Sequence, residues 1–191
     1  MKSVRNGTWI CALVLTCPCF CRAQSPIAGV PTQETLVFGT GPDRQFLAAQ
    51  TAINQGKHGD ALEILERTTS TSREDQSTKY VLMGLCYEGL LKTTSALDAY
   101  EKALSVNPKA ATALLREGVL CYRQGDLVMA ERLLKGYVTT ETGNPEAYYY
   151  LCFVETDRVK KRQYIRRVVE LDGPNGKWAT ELTSNIRKIA P

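Results

Sequence analysis

Three stretches of the chain superpose on one another almost without gaps. QTAINQGKHGDALEILERT (50–68), GLCYEGLLKTTSALDAYEKA (84–103) and GVLCYRQGDLVMAERLLKG (118–136) align with Ala61, Ala96 and Ala130 in register, at intervals of 35 and 34 residues. A fixed period near 34 residues leaves few architectures open. Each period is one supersecondary unit too small to bury its own apolar face, so successive copies must stack side by side. Within each copy the apolar residues recur at helical spacing, and the breaks fall at QGKHGD, LLKTTS, NPKA, RQGD, GNPE and DGPNG. No long alternating pattern suggests a strand. The body from about residue 44 to 191 is therefore expected to be all-α.

Small side chains explain how paired helices can close. Ala96 and Ala103 lie seven apart on one helix face and Gly84 lies on the partner helix, while Tyr87 and Tyr100 fill the adjoining space. Pro108 ends the second helix, because the residue before a proline is pushed out of the helical region. From about Ser77 to Ala110, the residues Tyr80, Met83, Gly84, Tyr87, Ala96, Tyr100, Ala103 and Pro108 fall where the signature of the tetratricopeptide repeat family has an aromatic, a leucine-like residue, glycine, tyrosine, alanine, phenylalanine, alanine and proline. The chain resembles that family over roughly residues 42 to 190.

The resemblance implies a right-handed helix-turn-helix solenoid of three to four repeats, at about 42–76, 77–110, 111–144 and 145–174, closed by a capping helix at about 176–190. The flanking copies depart from the pattern. Thr68 and Arg73 stand at the later alanine and proline places of the first, and Tyr137 replaces the later alanine of the third. The fourth opens with NPEAYYYLCFVE and then loses about three residues in a compressed turn before VKKRQYIRRVVELDGP. In the capping segment, Trp178, Leu182 and Ile186 make one apolar face.

Lys2 and Arg5 precede an apolar run from Ile10 to Phe20, and CRAQ follows with small residues two apart, which is the plan of a secretory leader with cleavage after Ala23. Eleven residues cannot cross a hydrocarbon core that needs about 20. The triplets before Cys17, Cys19 and Cys21 fit a lipidation site poorly, so a periplasmic or secreted protein is expected rather than a lipoprotein. This leader and the overall style resemble exported bacterial members of the family. A Pro- and Gly-rich linker or arm, residues 24–43, follows. Residues 1–23 hold three of the 24 bases and none of the 20 acids, so the remainder is nearly neutral. A global basic field for nucleic acid is absent.

Four of the seven cysteines lie in the leader, and Cys86, Cys121 and Cys152 remain, each on the first helix of a repeat. They read as small apolar side chains, and a Cys86–Cys121 bridge is an alternative in an oxidising compartment. No CxxC or HxxxH pair suggests zinc. His58, the sole histidine, reads as a solvated turn residue, so no base stands near a thiol. Neither an enzyme nor a cofactor is expected.

Two surfaces remain. Val81, Leu85 and Glu88 form a stripe at i, i+4, i+7 on one first helix, with Leu115, Val119 and Tyr122 at the same offset in the third repeat. Tyr149 and Phe153 continue the stripe in the fourth repeat, and Phe46 and Gln50 in the first. In the family this stripe lines the concave groove. Here it is mainly apolar, which suits an apolar or amphipathic segment of another protein. The arm around TQETLVFG, a second copy of the chain, or simple inter-repeat packing are the competing uses of the stripe. Arg158, Lys160, Lys161, Arg162, Arg166 and Arg167 form the second surface, either the wet outside of a helix or a grip on an anionic polymer or membrane surface.

Overall fold

The computed structural model describes residues 42–70 and 72–189. The expected leader and most of the arm lie outside the described residues. Among these residues there are nine α-helices and no strand. They are α1 (Pro42–Asn54), α2 (His58–Arg67), α3 (Arg73–Gly89), α4 (Thr93–Val106), α5 (Ala111–Gln124), α6 (Leu127–Thr140), α7 (Pro145–Val154), α8 (Arg158–Asp172) and α9 (Lys177–Ile189).

Local chemistry sets the boundaries. Ser72 and Asp75 form a reciprocal capping box at the start of α3, the Ser72 hydroxyl accepting from the Asp75 N–H at 3.0 Å. Asp126, Asn144 and Asp157 cap α6, α7 and α8 without the reciprocal bond, one side-chain oxygen each accepting an N–H of the first turn. Gly125 ends α5 in the left-handed region, at φ +87°. α4 stops at Val106, just ahead of Pro108.

Packing follows the period. Ala61, Ala96 and Ala130 are all completely buried, as are Leu65, Tyr100 and Leu134 four residues further along the same helices. Facing them on the partner helices stand Ala49, Gly84 and Gly118. A Cβ added to Gly84 would lie 2.7 Å from Tyr100 Cδ1, and one added to Gly118 would lie 3.0 Å from Leu134 Cγ. Glycine at these two places is a matter of space, not of backbone freedom.

Each helix packs on the next in sequence, and the first helices α1, α3, α5 and α7 also touch along their row. The second helices α2, α4, α6 and α8 do not touch one another. The stack therefore bends with the first helices on the inside. α9 touches both α7 and α8, the position a further first helix would take. The core is broken into three patches, one around α1 to α3, one between α4 and α5, and a large one from α5 to α9.

The fourth hairpin is compressed by shortening a helix, not a loop. α7 has 10 residues against 17 in α3 and 14 in α5, while its connection to α8 is three residues, Glu155 to Asp157. Glu155 makes that early stop workable. Its buried carboxylate accepts the N–H groups of Thr156 and Asp157, both at 3.0 Å, and pairs with Lys135 of α6 at 3.0 Å.

Candidate functional site

The row of first helices carries a cleft of about 520 Å³ over α3, between α1 and the start of α5. Val81, Leu82 and Leu85 make its apolar floor. Gln50, Glu74, Thr78, Asn107 and Thr112 rim it with hydrogen-bonding groups. Ser77, also at the wall, is buried and donates to the Ala103 carbonyl at 3.2 Å, which ties the start of α3 to the end of α4.

Three residues of the expected stripe, Gln50, Val81 and Leu85, thus share one concave surface. The others do not join them. Phe46 is buried in the first core patch, and Leu115 and Val119 in the large one. A side chain at these places meets the neighbouring first helix before it reaches the groove. Glu88 is half-buried, with Arg116 Nη1 at 3.9 Å from its carboxylate. Burial raises its pKa, and Arg116 and Arg123 act against that rise.

Farther along, the stripe packs upon itself. Tyr149 is buried, its ring 5.1 Å from Phe153 and 5.0 Å from Trp178 of α9. Its hydroxyl donates to Glu181 Oε1 at 3.0 Å and accepts from Asn185 Nδ2 at 2.8 Å. Tyr122 lies 6.2 Å from Phe153, both half-buried. The terminal helix therefore occupies the far end of the apolar strip, and the open part is the end over α3.

Sequence reasoning missed the polar rim. Thr78 and Thr112 stand one period apart, and a small polar residue recurring at the same repeat position on successive first helices was a readable signal for it. Glu74 and Asn107 carry no such signal, because they reach the cleft only once the hairpins stack.

Arg158, Lys160, Arg162 and Arg166 of α8 are exposed and form no ion pair among the described residues. Arg167 is committed to Glu170 at 3.3 Å. Lys161 is half-buried close to Cys152. The six cations thus divide into an exposed four and two that face inward or pair.

Cys86, Cys121 and Cys152 are free and buried. Burial pushes the Cys86 and Cys121 thiols up to about 11 and the Cys152 thiol to about 12, which keeps them protonated at neutral pH. His58 is not the solvated turn residue expected. It opens α2, half-buried, and its ring lies where a Cβ on Gly89 would stand. No group of three or more His, Cys, Asp or Glu among the described residues could hold a metal ion. No described helix is long and apolar enough to cross a membrane.

An all-α stack of hairpins with a period near 34 residues and an inner row of first helices defines a helical-repeat solenoid. Residues 81–147 match the tetratricopeptide repeat family model. Over 83 residues it is 39% identical to a tetratricopeptide-repeat-containing protein of Methanocaldococcus jannaschii. That alignment takes in 42% of this chain and 25% of the relative, so the chain spans a quarter of the curated protein it matches. Among solved structures it is similar to MamA of Desulfovibrio magneticus RS-1, with a TM-score of 0.62 and 22% identity over 79% of this chain and 87% of that one. A thermophilic tetratricopeptide protein of Thermus thermophilus superposes with a TM-score of 0.61 and 20% identity, over 78% and 82% of the two chains. YrrB, described as having an unusual peptide-binding site, reaches a TM-score of 0.58 at 15% identity, over 75% and 74%. At these identities the likeness is one of fold.

Proposed function

We propose that the protein is a non-catalytic scaffold that holds a segment of another protein on its row of first helices, in the cleft between α1, α3 and α5. The observation that carries this reading is the cleft itself, with the apolar floor of Val81, Leu82 and Leu85 inside a rim of uncharged donors and acceptors and one carboxylate, Glu74. Such a surface suits an extended or helical segment with two or three apolar side chains, bound by several modest contacts on a preformed curve. A binding site of peptide type is described for YrrB, which shares the fold.

The test uses the full chain as bait for a random-peptide display library. Enriched peptides should be apolar or amphipathic, and a V81D/L85D variant that keeps its helical circular dichroism should lose them by roughly tenfold or more. A library that enriches nothing, or peptides that the variant holds equally well, would overturn the reading. Both positions are half-buried and pack partly on the first two core patches, so the retained circular dichroism is what separates lost binding from lost folding.

The unpaired Arg158, Lys160, Arg162 and Arg166 favour a second reading, in which α8 grips an anionic polymer. Elution of an R162Q/R166Q variant from heparin at clearly lower salt supports it, and unchanged elution removes it. Export through residues 1–23 completes the proposal. N-terminal sequencing of the protein from its native source would find Gln24 first if cleavage follows Ala23.

A further inference from the structure

The two edges of the stack differ in one respect. Neighbouring helices alternate in direction across short connections, so every first-to-second turn lies on one edge and every second-to-first turn on the other. On the first edge, Leu91 is 88% exposed at the α3–α4 turn, Val128 is 81% exposed at the start of α6, and Val159 is 64% exposed at the start of α8. Leu90 and Leu127 beside them are exposed as well. At the opposite edge, residues 68–70, 72, 107–110, 141–144 and 173–176 carry no exposed large hydrophobic side chain.

Leu91 adds a second, independent observation. The same place in the first and third hairpins is held by Gly56, at φ +75°, and Gly125, at φ +87°. Leu91 adopts φ +58°, the one described non-glycine residue with positive φ. The left-handed turn itself caps α3, with the Leu91 and Lys92 N–H groups donating to the Glu88 and Tyr87 carbonyls at 2.9 Å, but glycine closes the same cap in the neighbouring hairpins without the steric cost of a side chain and without exposing an apolar one. Backbone strain at an exposed apolar tip points to a contact outside the chain.

Cations stand among these tips. Lys57, Lys92, Arg123, Arg158 and Lys160 are exposed on the same edge. Asp60, Asp126, Asp157 and Glu155 share it: the Asp126 and Asp157 carboxylates are turned onto the N–H groups of Met129 and Val159, and Glu155 is buried against Lys135, which leaves the five exposed cations in excess. We infer that this edge rests on a lipid surface bearing anionic headgroups, with Leu91, Val128 and Val159 dipping into the interfacial zone and the lysines and arginines beside them meeting phosphates. Stacked hairpins set the tips about 10 Å apart, the spacing of packed helices. A fluid surface accepts separated aliphatic tips flanked by cations, whereas a protein partner would need a continuous patch or a pocket, and the large cleft lies on the inner face instead. The inference is independent of the cleft proposed for a protein segment.

Hydrogen exchange on the full chain tests it, with vesicles of phosphatidylcholine that either contain phosphatidylglycerol or lack it. With the anionic vesicles, amides at 89–92, 125–128 and 156–160 should slow, while those at 107–110 and 141–144 should not. An L91G/V128S/V159S variant should lose the protection by roughly tenfold or more, as expected when several buried aliphatic groups are removed from an interface. Its unfolding midpoint should not fall, because glycine relieves the strain at residue 91 and the other two changes are on the surface. No slowing, equal slowing of both edges, or equal protection of the variant would overturn the proposal. So would slowing of this edge with protein concentration in the absence of vesicles, which would assign it to self-association.

Discussion

Gly84 and Tyr100 show how one hairpin divides a fixed volume between two side chains. The first hairpin fills the equivalent space with Ala49 and Leu65, and the third with Gly118 and Leu134. A methyl group at residue 84 must displace the Tyr100 ring, so Gly84→Ala should cost about 1–3 kcal/mol in urea unfolding, the range for overpacking a filled core. Adding Tyr100→Leu to that variant recreates the pair of the first hairpin. The double variant should recover part of the loss, with a coupling of roughly 1 kcal/mol in a double-mutant cycle. Strict additivity would mean that the two side chains do not share the space.

Glu117, on α5, ties stability to pH. Its Oε2 is buried without a hydrogen-bond partner among the described residues. Burial first and then the like charge of Glu101 push its pKa up to about 7, against the pull of Arg132. An acid whose folded pKa exceeds its ordinary value binds its proton more tightly when folded. Its contribution therefore favours the fold at low pH and is lost as pH rises from the usual 4.5 through about 7. Glu117→Gln should flatten the stability curve across that window, as read by urea midpoints at several pH values. Glu155 behaves in the opposite sense. Backbone N–H groups and Lys135 hold its carboxyl below the usual range, so its support is lost only in acid.

Among the elements, α9 depends most on a single side chain from another helix. Asp172, the last residue of α8, accepts the N–H groups of Trp178 at 2.7 Å and Ala179 at 3.0 Å, and Gly176 leaves room for that carboxylate. Asp172→Ala removes the cap and should cost about 1 kcal/mol. Because Trp178 packs on Tyr149, the change should also alter tryptophan emission, and an unaltered spectrum would show that α9 is placed by its apolar face alone. The helical elements and their pairing were legible in the sequence because small residues recur at a fixed period. The early end of α7 was legible only as a missing turn, since the residue that makes it workable, Glu155, looks like any surface acid until Lys135 of the preceding hairpin reaches it. The stripe of Leu115, Val119 and Tyr149 misled for a related reason. On a first helix, one face serves both the groove and the neighbouring first helix, and spacing along the chain does not divide the two.

For the whole molecule, the three core patches predict an order of opening. The last patch gathers Tyr148, Tyr149, Tyr150, Leu151 and their neighbours from five helices, whereas the first has seven buried residues from three, and three of the seven are alanines. In a stack where each hairpin leans only on its neighbours, local stability follows the local interfaces. Amides of α1 and α2 should exchange well before those of α5 and α7, and equal rates would indicate one cooperative block.

The joint between the first two patches falls beneath the cleft. Second helices that stay apart cannot resist a change in curvature there, so the stack is most compliant where its inner wall is hollow. A guest lodged over α3 would act as a splint, and the reach of its grip would be felt as stiffness along the arc rather than as any rearrangement of the hairpins.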